Sequence, residues 1–176
     1  SPAYTAEVCW RAEMVMRSRA VHEIILVVGL AFLAAFLLQR DVARAQQAAK
    51  PQVFSEFRSK LALDGHDPVA YFKSGKPQKG NLAHSLVWNG ATWHFASAEN
   101  KSAFEASPQS FAPQFGGYCA WAVSQGYTAK GDPSAWRIVD GKLFLNYNAS
   151  VQRTWEKDMP GHIAKGEKNW PVVLTK

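Results

Sequence analysis

Cysteine is scarce in this chain, and its scarcity limits how the fold can be stabilised. The 176 residues contain two cysteines, and residues 46–176 contain only Cys119, in the stretch FGGYCAWAVSQG. A single cysteine excludes an internal disulfide framework. Stability must therefore come from packing, for which the chain has seven tryptophans and ten phenylalanines. About 130 residues are enough for one domain with an adequate core.

Long hydrophobic runs are also missing. The longest uncharged apolar run, residues 24–38, has 15 residues, whereas a helix that crosses the hydrocarbon core of a bilayer needs about 20. A basic segment, MRSR, precedes this run, and residues 43–45, ARA, have the small-x-small form that signal peptidase cleaves. The pattern predicts an N-terminal extension and secretory signal peptide over residues 1–45, with cleavage after Ala45 and a periplasmic or secreted product. The alternative is a membrane anchor that is not cleaved.

Clusters of like charge are absent as well. The formal net charge is +6 at pH 7, from 20 Lys and Arg against 14 Asp and Glu, and the basic residues are scattered along the sequence. This distribution argues against a nucleic-acid-binding patch. The glycine patterns of phosphate-binding and dinucleotide-binding loops are missing too. We therefore expect the partner to be a protein or a small molecule, with membrane contact only through an uncleaved signal peptide.

Two turn dipeptides predict the main elements of the fold. Asn89-Gly90 and Asp140-Gly141 each separate two runs rich in β-branched and aromatic residues, which is the strongest short-range sign of a β-hairpin. We predict that the two hairpins form one small antiparallel sheet with short helices packed on one side, an α+β fold. The domain is expected over residues 61–176, after a linker over residues 46–60.

Capping residues predict where the helices begin and end. Asp67, followed by proline, predicts a short helix, and Ser97 and Asn148 are suited to cap the helices that follow the two hairpins. Cys119 falls in the first turn of another predicted helix, where the helix dipole lowers the pKa of a thiol. The helix after Asn148 is expected to stop before residues 159–161, MPG, and a final helical turn is expected over residues 162–168.

Five ordered blocks of sequence resemble the YHS domain, in particular its exported single-domain branch. The blocks are LDGHDPVAYF, WNGATWHFASAEN, GGYCA, KGDP and DGKLFLNYN, and they lie between residues 61 and 170. In better-known members of this family, cysteines at the start of the domain and in an F-C-S-x-x-C segment bind metal ions. Those domains accompany copper or heavy-metal transporters, so the resemblance implies a metal-binding or accessory role.

The usual metal ligands of the family have no counterpart in this chain. Asp67 and the next three residues, PVA, stand where the first cysteines would be. The segment FASAEN replaces F-C-S-x-x-C, so that Ala96 occupies a ligand position. The metal site of the family is therefore not expected in its usual form.

A different set of residues could form a metal site. A thiolate with one or two imidazoles is a suitable ligand set for copper or zinc. No paired spacing such as H-x-x-x-H or C-x-x-C supports such a site here, and each candidate also has a simpler structural interpretation, as a cap or an exposed side chain. The candidate ligands are Cys119, His94, Asp64 and His66, with His84 and Asp67 as weaker ones.

Cys119 has three possible roles. Free cysteine behaves as a small hydrophobic residue and is among the most buried residue types. Gly116 and Gly117 would let the backbone turn tightly or approach a neighbour closely just before it. The same thiol could instead ligate a metal or carry out redox chemistry. No motif ties it to a histidine and an orienting group, as a nucleophilic pair would require.

These observations predict a secreted or periplasmic, non-catalytic binding or accessory domain. The most specific hypothesis is that the domain binds copper or zinc through Cys119, with His94 as a supporting ligand. The alternative is a metal-free structural or partner-binding module with a buried Cys119, and the third hypothesis is a thiol redox protein. Most tryptophans and tyrosines are expected in the core, and an exposed aromatic cluster would indicate a glycan-binding or apolar ligand-binding face instead.

Overall fold

The computed structural model describes residues 29–40 and 49–175. The chain divides into two compact units, Ser1–Ala48 and Ala49–Lys176. In the first unit, residues 29–40 form a helix whose large apolar side chains are exposed. None of the described helices is long and apolar enough to cross a membrane. The predicted cleavage point after Ala45 lies outside the described residues.

The second unit is a small α+β domain, as predicted. Short 3₁₀ turns at Leu63–Gly65, Gln114–Gly117, Glu156–Asp158 and Val172–Thr175 connect its main elements. In chain order these elements are α1 (Ala70–Lys73), β1 (Asn81–Trp88), β2 (Ala91–Phe95), α2 (Ala98–Ala106), α3 (Pro108–Phe111), α4 (Ala120–Ser124), β3 (Asp132–Val139), β4 (Lys142–Asn146), α5 (Ala149–Trp155) and α6 (Met159–Asn169).

Both hairpins form at the predicted dipeptides. Strands β1 and β2 pair antiparallel, as do β3 and β4. Asn89 and Gly90 have φ angles of 48° and 76°, and Asp140 and Gly141 have 50° and 74°. A type I′ turn needs positive φ at both central residues, and Asn-Gly and Asp-Gly supply it at little cost. The sequence of each turn therefore determines where its hairpin folds back.

The helices after the hairpins are capped as predicted. The Ser97 hydroxyl accepts a hydrogen bond from the Asn100 amide (3.2 Å), and Asn148 Oδ1 accepts one from the Val151 amide (2.9 Å). These bonds satisfy amides that have no partner inside the first turn of a helix. Helices α2 and α5 therefore begin directly after β2 and β4.

The helix after Asn148 stops before Met159, as predicted, but the last helix begins earlier than expected. Helix α6 begins at Met159, and Asp158 Oδ1 accepts a hydrogen bond from the Gly161 amide (3.0 Å). Pro160 lies in the first turn, where its missing N–H costs no helical hydrogen bond. The proline therefore starts the last helix.

The two hairpins do not join into the single sheet that was predicted. Across residues 49–175 they form two separate two-stranded sheets. Trp93 and Phe95 of the first hairpin share one buried core with Leu143 and Leu145 of the second. The hairpins thus meet through side chains rather than through hydrogen bonds between strand edges. Each also has its own helix, so the helices do not share one side of a common sheet.

The chain repeats one structural unit twice. In the first hairpin Asn81 pairs with Phe95, and in the second Asp132 pairs with Asn146, so corresponding residues differ by 51. The same offset relates every other pair in the two hairpins, including the irregularity in each first strand. We call residues 61–106 the first half and residues 112–155 the second half. Sequence inspection did not reveal this repeat.

The repeat extends to the turns before the hairpins. At corresponding positions, the 3₁₀ turns of the two halves contain a non-glycine residue in the left-handed region, Asp64 (φ 49°, ψ 32°) and Phe115 (φ 53°, ψ 32°). Beyond the turn, the Asp67 amide donates to Gln78 O (2.8 Å) and the Cys119 amide donates to Ala129 O (2.9 Å). Asp67 and Cys119 therefore occupy the same place in the two halves.

The segment predicted as a linker makes specific contacts with the domain. The Phe54 amide donates to Gly116 O (2.9 Å), and the Tyr118 hydroxyl donates to Pro51 O (2.9 Å). Val53 is buried in the core shared by the two hairpins. A Cβ atom built on Gly116 would overlap the carbonyl oxygen of Gln52. Residues 51–54 are thus packed against the domain rather than free of it.

Candidate functional site

Cys119 caps a short helix. Cys119 follows the Gln114–Gly117 turn and is the residue directly before α4. Its Sγ accepts a hydrogen bond from the Ala122 amide (3.5 Å). Asn146 Oδ1 lies 3.9 Å from the same sulfur. A sulfur atom is only a weak acceptor, so this cap is weaker than the oxygen caps of the other helices.

The thiol of Cys119 is shielded from solvent. Its residue is 1% exposed. Burial raises the pKa of the Cys119 thiol, because a buried thiolate loses its hydration, and the nearby N–H groups of Ala122, Tyr147 and Trp121 offset this only in part. The expected lowering by the helix dipole is therefore wrong in direction. The neutral thiol is the stable form at physiological pH.

A small pocket lies beside the thiol. Its volume is about 220 Å³. Trp121 and Tyr127 meet edge to face at a centroid distance of 6.2 Å, and Tyr127 and Tyr147 are 47% and 56% exposed. The pocket thus has aromatic residues at its solvent-facing side and small residues deeper inside. It is lined by Cys119, Trp121, Ala122, Tyr127, Ala129, Tyr147 and Val151.

The other predicted metal ligands do not line this pocket. His94 lies in β2 of the first half, paired with Ser85 and packed near the turn at Gly65, where a built Cβ atom would be 3.6 Å from its Nδ1. His84 is half-buried in β1. Among the described residues, no group of three or more His, Cys, Asp or Glu side chains could hold a metal ion. The structure therefore does not bring Cys119 and His94 together.

Asp64 pairs with a lysine of the second half, and His66 makes a local contact in the first half. Asp64 Oδ2 lies 2.8 Å from Lys130 Nζ, and Glu56 lies 3.8 Å from the same ammonium. His66 Nδ1 donates to Leu63 O (2.9 Å). Burial, as the main cause, lowers the pKa of His66. The ion pair between Asp64 and Lys130 links the two halves, and the contacts of both side chains are accounted for without a metal.

Helix α1 begins at Ala70 with Val69 as its N-cap, so the predicted N-cap, Asp67, lies before the helix. Its buried carboxylate accepts hydrogen bonds from the Val69 amide (2.8 Å), the Ala70 amide (3.3 Å) and, across the first half, the Ala96 amide (2.8 Å). Asn100 Nδ2 donates a fourth bond of 2.6 Å. A single carboxylate thus joins α1 to the hairpin and helix of its half.

At the corresponding position of the second half there is a pocket instead of a hydrogen-bonded bridge. Val151 replaces Asn100 and Tyr147 replaces Ala96, each at the offset of 51. Cys119 replaces Asp67 at an offset of 52, because the second half has one more residue before this position. The hydrogen bond that closes the first half, from Asn100 to Asp67, has no counterpart between Val151 and Cys119, whose side chains line the pocket. One backbone frame therefore holds a polar bridge in one half and an apolar pocket in the other.

A polar cluster that the sequence did not indicate joins α4 to α6. Ser124 Oγ donates to Trp121 O (2.6 Å) and lies 3.1 Å from His162 Nδ1. Asn169 Nδ2 donates to Val123 O (2.9 Å). Because the Ser124 hydroxyl proton is directed to a backbone carbonyl, this serine and histidine pair has a structural arrangement rather than that of a nucleophile and its base.

Cys119 is expected to be unreactive in the folded protein. With 5,5′-dithiobis(2-nitrobenzoate) near pH 8, we expect labelling of the native domain to be at least about 100-fold slower than labelling in denaturant. Reaction requires the thiolate, and a raised pKa keeps the thiol neutral to higher pH than usual. Absorbance of the released thiolate measures both rates. Equal rates would contradict a buried thiol.

Comparisons of the chain with protein-family models, with curated proteins and with solved structures each found no match.

Proposed function

We propose that this chain is an exported, YHS-like, non-catalytic binding module that holds a small apolar ligand beside Cys119 without a metal. The observation that carries this proposal is the difference between the two halves. Where the first half is closed by the bond from Asn100 to Asp67 (2.6 Å), the second half has an open pocket. The order of the YHS-like blocks and the signal-peptide pattern support the family and export parts of the proposal.

The lining of the pocket favours an apolar ligand of about one ring. Protein cavities of about 150 Å³ with apolar walls bind benzene-sized molecules, and this pocket measures about 220 Å³. Trp121, Tyr127 and Tyr147 offer ring edges and faces, which suit another aromatic or aliphatic group. The neutral Cys119 thiol adds a small, polarisable wall without charge.

Metal binding by Cys119 and His94 stays a prediction. In the folded chain these two residues belong to different halves, and the imidazole does not line the pocket with the thiol. Mass spectrometry of the untagged domain would decide between a metal site and an apolar pocket. Stoichiometric copper or zinc that is lost in Cys119→Ser would support the metal hypothesis and contradict the proposal.

Toluene is a direct probe of the pocket. We expect it to bind in the millimolar range or tighter and to shift the amide resonances of Cys119, Ala122 and Tyr147 in NMR titrations. Val151→Phe should weaken binding at least about tenfold, because the larger side chain occupies the pocket. The matched control is Val172→Phe at a position that is 60% exposed.

The pair of valine variants makes the outcome clear. Binding that is lost in Val151→Phe and kept in Val172→Phe supports the pocket. Toluene binding that is the same in both variants, or that shifts resonances only elsewhere, would overturn the proposal. Melting curves of the two variants show whether each remains folded.

A further inference from the structure

A second and larger cleft lies between the tips of the two hairpins. Its volume is about 520 Å³, within the usual range of small-molecule sites, about 300–1,000 Å³. Asn89 from the first turn lines it together with Gly141 and Lys142 at the second turn. The connection between the two halves and the segment around Gln52 complete its walls. None of its lining residues belongs to the Cys119 pocket.

The floor of this cleft is aromatic and held in place. Trp93 and Phe115 are buried, at 0% and 6% exposed, while Trp88 and Trp170 are half-buried. Trp93 Nε1 donates to Trp88 O (3.0 Å), and the two rings lie 5.9 Å apart. Phe115 and Trp170 also lie 5.9 Å apart. Each half-buried indole therefore packs against a buried ring.

Free amides surround the aromatic floor. Their side chains make no hydrogen bond within residues 49–175, so their donors and acceptors are available to a ligand. Each amide offers two N–H donors and a carbonyl acceptor. Ser110 is exposed and adds a hydroxyl, which is hydrogen-bonded to the Ser107 hydroxyl (2.7 Å). The side-chain amides around the cleft are those of Gln52, Asn89, Gln109 and Gln114.

The charge of the cleft restricts its ligand further. No carboxylate lines it, and Lys142 is its one ionisable side chain among the described residues. The Lys142 ammonium lies 3.5 Å from Glu167 Oε1 in an exposed pair, which is weak. A cationic ligand would thus find no counter-charge. An acidic ligand would find the Lys142 ammonium, and a neutral ligand needs no counter-charge.

We propose that this cleft binds a short neutral or acidic saccharide. A sugar ring has apolar C–H faces that pack on tryptophan, and its hydroxyl groups at the ring edge act as donors and acceptors together. The cleft offers the same two chemistries, because buried and half-buried rings line it together with amides, three of which are exposed. An apolar ligand would leave those amides without partners, which is unfavourable. The proposal is independent of the Cys119 pocket.

Three disaccharides serve as probes: cellobiose, N,N′-diacetylchitobiose and digalacturonate. We expect at least one to bind with a dissociation constant below about 10 mM by calorimetry and to change tryptophan fluorescence. Gln52→Ala combined with Gln109→Ala should weaken that binding about fivefold to 50-fold, since two rim amides are removed. Both side chains are exposed, so the fold should be unaffected.

Gln78→Ala is the matched control, because Gln78 is exposed and lies outside the cleft. Its affinity should equal that of the wild type. The absence of binding for all three disaccharides would overturn the proposal. Binding that is equally strong in the double variant would overturn it too, because the sugar would then sit elsewhere. Val151→Phe should leave saccharide binding unchanged, which separates this test from the toluene test.

Discussion

Asp67→Ala is expected to reduce the free energy of unfolding by about 3–5 kcal/mol. The carboxylate is 0% exposed and accepts four hydrogen bonds from three separate parts of the first half. Alanine would leave the Val69 and Ala96 amides and the Asn100 side chain without their acceptor. Each buried donor left unpaired costs about 1–3 kcal/mol. The loss is thus much larger than that of an ordinary helix cap, about 1 kcal/mol.

Asp67→Asn tests whether acceptor capacity is what matters. The amide keeps the shape of the side chain, but it directs an NH₂ group at donors that need an acceptor. We expect a loss between those of the wild type and the alanine variant. Asp140→Asn is the control, because it gives the second hairpin the Asn-Gly turn that the first already has. Its effect should stay within about 0.5 kcal/mol.

Urea unfolding followed by circular dichroism measures all three variants. A loss below about 1 kcal/mol for Asp67→Ala would mean that the carboxylate contributes no more to stability than an ordinary helix cap. The result also bears on the second half, where Cys119 occupies the same place. Among the described residues of the first half, the Asp67 carboxylate bonds to Asn100 and leaves no pocket at this place. In the second half the Cys119 sulfur makes only a weak cap, and a pocket lies beside it.

Local signals in the sequence predict the elements of this fold well. Asn89-Gly90 and Asp140-Gly141 determine their turns through backbone conformation alone, and Ser97 and Asn148 cap helices within three residues. These are short-range effects, which a sequence displays directly. The placement of the hairpins is different. Whether they join by edges or by faces depends on how their side chains pack, and a local pattern does not contain that information.

The candidate site shows the same limit. The sequence places Cys119 at the start of a helix, but the pKa of its thiol depends on burial in the folded domain and on N–H groups that include that of Tyr147, a residue distant in sequence. His94 was grouped with Cys119 on chemical type, although the fold puts the two in different halves. The repeat shows this separation, because it aligns Cys119 of the second half with Asp67 of the first half, to which His94 also belongs. The strand pairs of the two halves have the same register, but their side chains differ. The repeat is therefore not visible in the sequence.

Gly116→Ala is expected to detach residues 51–54 and to cost about 4 kcal/mol or more. Two causes add. Gly116 has a φ of +60°, which strains any residue with a Cβ atom, and that Cβ atom would overlap Gln52 O. The segment must then move away, which exposes Val53 and breaks the bonds that Phe54 and Tyr118 make with it. Burial of one valine side chain alone is worth about 1.5–3 kcal/mol.

Gly75→Ala separates these two causes. Gly75 has nearly the same φ, +62°, yet nothing lies within 4 Å of a Cβ atom built on it. Alanine there should cost only the backbone strain, about 1–2 kcal/mol. Hydrogen exchange of the Phe54 amide should become faster in Gly116→Ala and remain slow in Gly75→Ala. Equal losses in the two variants would mean that residues 51–54 contribute little to stability. A larger loss for Gly116→Ala would make this segment part of the folded domain, whose start then lies before residue 61.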